Sequence, residues 1–164
     1  MDQFTIRNLE LVSSSVDNGA TLLKTIDATT SPMGARLLKR WILMPLSDQK
    51  KINERLDLVE KIIANSSLYS TFTQSFKSCG DIERLVSKIP SKKLGPREML
   101  QLAKGLEEVA FMKSLHGEMQ SEYLERLLDS LNPCSVISEK INLEISEDAP
   151  NQTQKGGYIR AGVS

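Results

Sequence analysis

One histidine, two cysteines and a few adjacent carboxylates are the side chains here that could do chemistry. His116 would have to serve any triad or imidazole metal site alone, since the chain has no other. It lies in the polar run Leu115-His116-Gly117-Glu118 and reads as an exposed helix-end residue beside a terminating glycine. Cys79 and Cys134 stand far apart, with no C-x-x-C pair and no disulfide framework, so they read as reduced, partly buried cytosolic thiols. Glu107-Glu108 and Glu147-Asp148 are paired acids in polar surroundings. A general acid needs a pKa raised by burial or by a close like charge, and a solvated run supplies neither. No G-x-x-x-x-G-K-[ST] cradles phosphate, no G-x-G-x-x-G opens a helix after a strand, and no metal-ligand spacing recurs. The expectation is a chain with no catalytic residue, no cofactor and no metal of its own.

Cations form two groups, Arg36, Lys39 and Arg40, then Lys88, Lys92, Lys93 and Arg97. Either could meet phosphate or an acidic partner. Nearby Asp81, Glu83 and Glu98 favour an ordinary solvated face, which leaves Lys92, Lys93 and Arg97 as weak candidates for DNA contact. The whole chain carries 21 Lys+Arg against 21 Asp+Glu, without the basic excess of a free-standing nucleic-acid binder. Aromatic residues are 5% of the total, too few for a base-stacking platform.

The elements that must position these residues are helices. Ser31 caps and Pro32 suits the first turn of a helix carrying Leu37, Leu38, Trp41 and Ile42 on an inner face, and Pro45 closes it. Before it, Phe4–Val12 alternates apolar and polar side chains and predicts a short strand or extended lead-in; Asn18-Gly19 predicts a turn, and Thr21–Ile26 a two-turn helix. After it, Asp48 caps a helix striped by Ile52, Leu56, Val59 and Ile63. Asn65-Ser66-Ser67 breaks that helix, and Leu68–Phe76 makes another. Asp81 starts a helix with Ile82, Leu85, Val86 and Ile89 inward. Gly95-Pro96 opens the longest, whose stripe runs from Met99 to Met112 with Glu98 against the positive end of its dipole. Tyr123–Leu131 and Val136–Ile145 are the last two. From Ser146 to Gly157 the chain is polar and reads as a solvated loop, Tyr158-Ile159-Arg160 as a short strand, and the end at Ser164 as a cut through a longer chain. The fold class is all-α, an irregular multi-helix domain over residues 1–145 with a short extended segment at each end; residues 146–164 form a loop and strand. No fixed repeat, membrane span or secretory signal is visible.

Several of these stretches resemble, in order and spacing, the core or lever domain of the MutS family of DNA mismatch repair ATPases. They are Asn8-Leu9-Glu10-Leu11, Thr30-Ser31-Pro32-Met33-Gly34-Ala35-Arg36-Leu37-Leu38-Lys39-Arg40-Trp41 with Pro45-Leu46, Ile52–Val59, Asp81–Leu85, Gly95-Pro96-Arg97-Glu98 and Gly156–Val163. The motif residues are Pro32, Gly34, Arg36, Arg40, Trp41, Pro45, Gly95 and Pro96. The resemblance implies a dimeric parent, cytoplasmic and nucleoid-associated in a bacterium, that binds mismatched duplex DNA and uses ATP and Mg elsewhere. This segment would couple the DNA clamp to the ATPase and meet DNA only through the parent. Helical stripes that absent parts of the parent would cover are expected to lie exposed. Two alternatives stay open, a stand-alone helical adaptor for partner proteins and a MutS paralogue working in recombination.

Overall fold

The computed structural model describes residues 2–151 and 153–163. Gln152, inside the polar run, and both chain ends lie outside the described residues. Among the described residues the expected helices are all present, and a further one precedes them. In order they are α1 (Gln3–Asn8), α2 (Leu22–Ile26), α3 (Pro32–Leu43), α4 (Gln49–Ala64), α5 (Ser66–Ser78), α6 (Ile82–Ser87), α7 (Pro96–Ser114), α8 (Glu122–Asp129) and α9 (Ser135–Glu144). A 3-10 turn spans Thr153–Lys155. The helices gather into two compact units, residues 1–60 and residues 61–164.

In the first unit the expected strand is instead α1. Asp2 caps it: its carboxylate accepts from the Thr5 N–H at 2.8 Å and the Thr5 hydroxyl at 2.9 Å. Alternating polarity stabilises a strand only with a ladder partner and a face to bury. Phe4 is exposed, and no ladder partner exists for this segment among the described residues. The chain then folds back so that Leu22 and Leu23 donate backbone hydrogen bonds to Glu10 and Leu11. Glu10 fastens this loop, accepting from Ser14, the Ser15 N–H and the Ser15 hydroxyl. The Asn18-Gly19 turn forms, with Asn18 left-handed and Gly19 donating to Val16.

α3 starts and stops where its punctuation requires. The Ser31 hydroxyl accepts from the Gly34 N–H at 3.1 Å. A Cβ on Gly34 would sit 3.1 Å from that same hydroxyl, so the small residue keeps the cap accessible. Met44 ends the helix directly before Pro45. The expected inner face, however, is only partly covered: Leu38 and Ile42 are half-buried, Leu37 and Trp41 exposed. Trp41 is 42% exposed, and the Arg55 guanidinium lies over its ring at 3.8 Å. A cation at that distance is attracted by the ring quadrupole and covers indole surface that packing leaves bare. Arg36, Lys39 and Arg40 are exposed as well. Ile52, Leu56, Val59 and Ile63 form their stripe on α4 but stay exposed, Ile63 at 70%. Leu58 is the residue α4 buries.

In the second unit α7 is the axle. α9 packs along it most extensively, and α5, α6 and α8 lie against it too. Ala103, fully buried, lets α9 approach; Ile141, Ile145 and Ala149 complete that core, with Met99, Leu100 and Tyr158 around it. Ala149 shows that the segment after Ser146 is partly folded in. An isolated antiparallel bridge joins Ile145 to Ile159, and Arg160 donates to the Ile145 carbonyl and pairs with Glu147. That bridge is as much of a strand as the described residues of this segment form. Leu85 is buried on α6, whereas Val86 and Ile89 are exposed; on α9, Val136 and Ile137 are exposed too.

Candidate functional site

The Gly95-Pro96-Arg97-Glu98 motif builds a tight corner at the start of α7. The Glu98 carboxylate reaches back to accept from the Gly95 N–H at 3.2 Å and forms an ion pair with Lys88. The backbone bond satisfies a donor that a helix start would otherwise leave free. Pro96 is fully buried, its missing N–H costing nothing at this position. A Cβ on Gly95 would lie 2.4 Å from the Asn151 carbonyl oxygen, so only glycine lets the returning segment pass. Lys92 and Lys93 stand exposed on the loop before this corner and Arg97 on its outer side. The basic group is therefore split: Lys88 is committed to Glu98, while Lys92, Lys93 and Arg97 face solvent.

The Lys88 side chain, then the Gly95 amide, hold the Glu98 carboxyl below its ordinary pKa. That is a structural carboxylate, the opposite of a proton donor. Since the folded pKa lies under the unfolded one, its stabilisation is present above the ordinary carboxylate range and is lost as pH falls through the folded value. Asp2, Glu10 and Asp27, lowered by the amides and hydroxyls they accept from, act in the same direction. Comparison with a variant isolates Glu98. Glu98→Gln is expected to flatten part of the acid limb below about pH 4.5 and to speed Gly95 amide exchange at neutral pH. Urea midpoints across pH and hydrogen exchange measure both; an unchanged acid limb contradicts the assignment.

His116 is better connected than its surroundings suggest. Its Nε2 lies 2.8 Å from a Glu125 oxygen and 3.4 Å from an Asp129 oxygen, both on α8. Glu125 also accepts from the Gly117 N–H at 2.9 Å. The sequence signal was available: Glu125 and Asp129 are four apart and share one helix face. The group fastens the α7–α8 turn. Cys79 is buried and its thiol points to the Gly105 carbonyl at 3.6 Å; burial first, then the Glu108 charge, pushes its pKa up and keeps it protonated. Cys134 is also a free thiol. Glu107 accepts from Asn142 across α7 and α9, and Glu147 holds Arg160. Among the described residues, no three of His, Cys, Asp and Glu are placed to hold a metal ion, and no helix is long and apolar enough to cross a membrane.

What the fold and these contacts define is an all-α packing segment whose polar side chains mainly fasten its own helices. Comparison with known proteins makes this specific. The MutS domain III model matches residues 4–161, and the chain belongs to that family. It is 44% identical over its whole length to the DNA mismatch repair protein MutS of Christiangramia forsetii, 41% to that of Cytophaga hutchinsonii and 41% to that of Bacteroides thetaiotaomicron. In each case the chain spans 19% of the relative's length.

Proposed function

We propose that this chain is the coupling segment of a mismatch repair protein, a passive mechanical element in a molecule whose chemistry lies in other parts. The observation that carries the reading is the domain III match over nearly the full chain, within relatives about five times as long. In that reading the longer, dimeric protein binds mismatched duplex DNA and hydrolyses ATP with Mg, in the cytoplasm and on the nucleoid. The present residues relay strain between DNA grip and nucleotide site. A relay needs a rigid unit whose arrangement both ends can bias. The α7–α9 packing and the Gly95–Glu98 corner supply rigidity within residues 61–164. Lys92, Lys93 and Arg97, all exposed around the start of α7, are the candidate phosphate contacts of this segment.

The purified 164-residue chain is expected to show neither ATP turnover nor retention of a mismatched duplex at physiological salt. Robust turnover, or tight binding that weakens steeply with salt, overturns the reading. A role in recombination would instead appear as selective binding of branched DNA by the longer protein.

A further inference from the structure

Asn18-Gly19 is the chain's one Asn-Gly pair. The fold explains why both residues stand there. Asn18 has φ +60°, a left-handed backbone that asparagine tolerates better than most side chains. Gly19 is needed for room: a Cβ there would lie 1.9 Å from the Ser14 hydroxyl oxygen and 3.0 Å from the Val16 carbonyl oxygen. The same pair has a chemistry of its own. An asparagine amide is thermolabile because the backbone nitrogen that follows can attack it, and a following glycine puts no side chain in the way. The turn therefore selects the two residues most prone to close on each other.

The closed turn holds that reaction back. The Gly19 N–H donates to the Val16 carbonyl at 2.9 Å, so the proton the nucleophile must lose is engaged. Closing a five-membered ring also needs the Asn18 backbone to rotate until the Gly19 nitrogen eclipses the side chain, and that rotation undoes the turn. The surrounding contacts resist it. Glu10 accepts from the Ser14 hydroxyl, the Ser15 N–H and the Ser15 hydroxyl, while the Leu22 and Leu23 amides bond back to Glu10 and Leu11. Residues 10–23 thus form one fastened loop, with Leu11 and Thr21 buried and Asn18 exposed to water.

We infer that Asn18 is a deamidation site gated by this loop, shielded while the turn is closed and reactive when it opens. On opening, the Gly19 nitrogen gives its proton to hydroxide and bonds to Asn18 Cγ; the Cγ–Nδ2 bond breaks and ammonia leaves. Water then opens the succinimide at either carbonyl, leaving aspartate or isoaspartate. One water enters and one ammonia departs. The product sets a new carboxylate beside Asp17, and the isoaspartate form adds a methylene to the backbone of a turn with no slack at Ser14. The loop cannot reclose as before, so a brief opening becomes a permanent one. The inference is independent of the coupling role, since it requires only that residues 10–23 open.

The test incubates the 164-residue chain in mildly alkaline buffer, folded and in urea, and follows conversion of amide to acid by peptide-mapping mass spectrometry. In urea, Asn18 is expected to convert ahead of every other asparagine. In the folded chain it is expected to convert at least about ten-fold more slowly, at a rate set by the population of the open loop. Glu10→Ala removes the clasp and is expected to raise the folded rate toward the urea rate. Ser15→Ala removes one of the three bonds to Glu10 and raises it less, which keeps the test decisive where Glu10→Ala disturbs the fold. Asn18→Gly suits the left-handed backbone and removes the reacting amide, so it is expected to hold the thermal midpoint with no conversion in this peptide. Equal rates folded and in urea, a folded rate that neither clasp variant changes, or another asparagine converting first in urea overturns the inference.

Discussion

Gly105→Val is expected to destabilise the chain by about 3 kcal/mol, near the top of the range for overpacked cores. Gly105 is buried in the middle of α7, where α5 and α6 come closest. A Cβ there would sit 2.6 Å from the Cys79 carbonyl oxygen and 2.9 Å from Ile82. The first neighbour is backbone and cannot rotate away, so the helices must part. Gly105→Ala adds the same contact but recovers about 1 kcal/mol of helix propensity, and is expected to cost less than valine. Gly117→Ala is the control. Gly117 has φ +86° and open space around its Cα, so only the backbone objects, at about 1 kcal/mol. Urea unfolding followed by circular dichroism ranks the three. A valine variant as stable as the unaltered chain contradicts the close packing of α7.

Phe72→Ala is expected to cost about 3–5 kcal/mol, a large share of the ~5–15 kcal/mol that holds a domain folded. Phe72 is buried on α5, the helix packed on α7, and stacks on Phe76 with ring centroids 6.1 Å apart. Phe76→Ala removes the same ring pair, but from a ring that is exposed. The pair contributes about 0.5–1.5 kcal/mol beyond area, which both variants lose. The difference between them therefore measures the cavity. Equal losses in the two would mean that Phe72 is not the anchor its burial indicates.

Punctuation was the most legible feature of the sequence. Ser31, Asp48 and Asp81 each accept from the N–H three residues on, and Pro32, Pro45 and Pro96 stand where their missing donors do no harm. These are local interactions, set by neighbours within a turn. Faces were less legible. Leu37 and Trp41 are spaced like core residues and lie exposed, as does the α4 stripe, because periodicity shows that a face is apolar and says nothing about what covers it. Phe4–Val12 misled for a related reason: alternation over so few residues fits a strand, but one aspartate cap outweighs it when no ladder partner exists. At the Gly95 corner, Glu98 at the third helical position signalled the return bond. The approach of Asn151, more than fifty residues away in sequence, had no local signal.

Trp41 is the chain's sole tryptophan and belongs to the first of the two compact units. Its indole lies half open to water under a guanidinium that can lift away. Emission excited in the red edge of the protein band therefore comes from residues 1–60 alone. Loosening around that indole can be followed optically, whereas loss of helicity reports on the helices of both units.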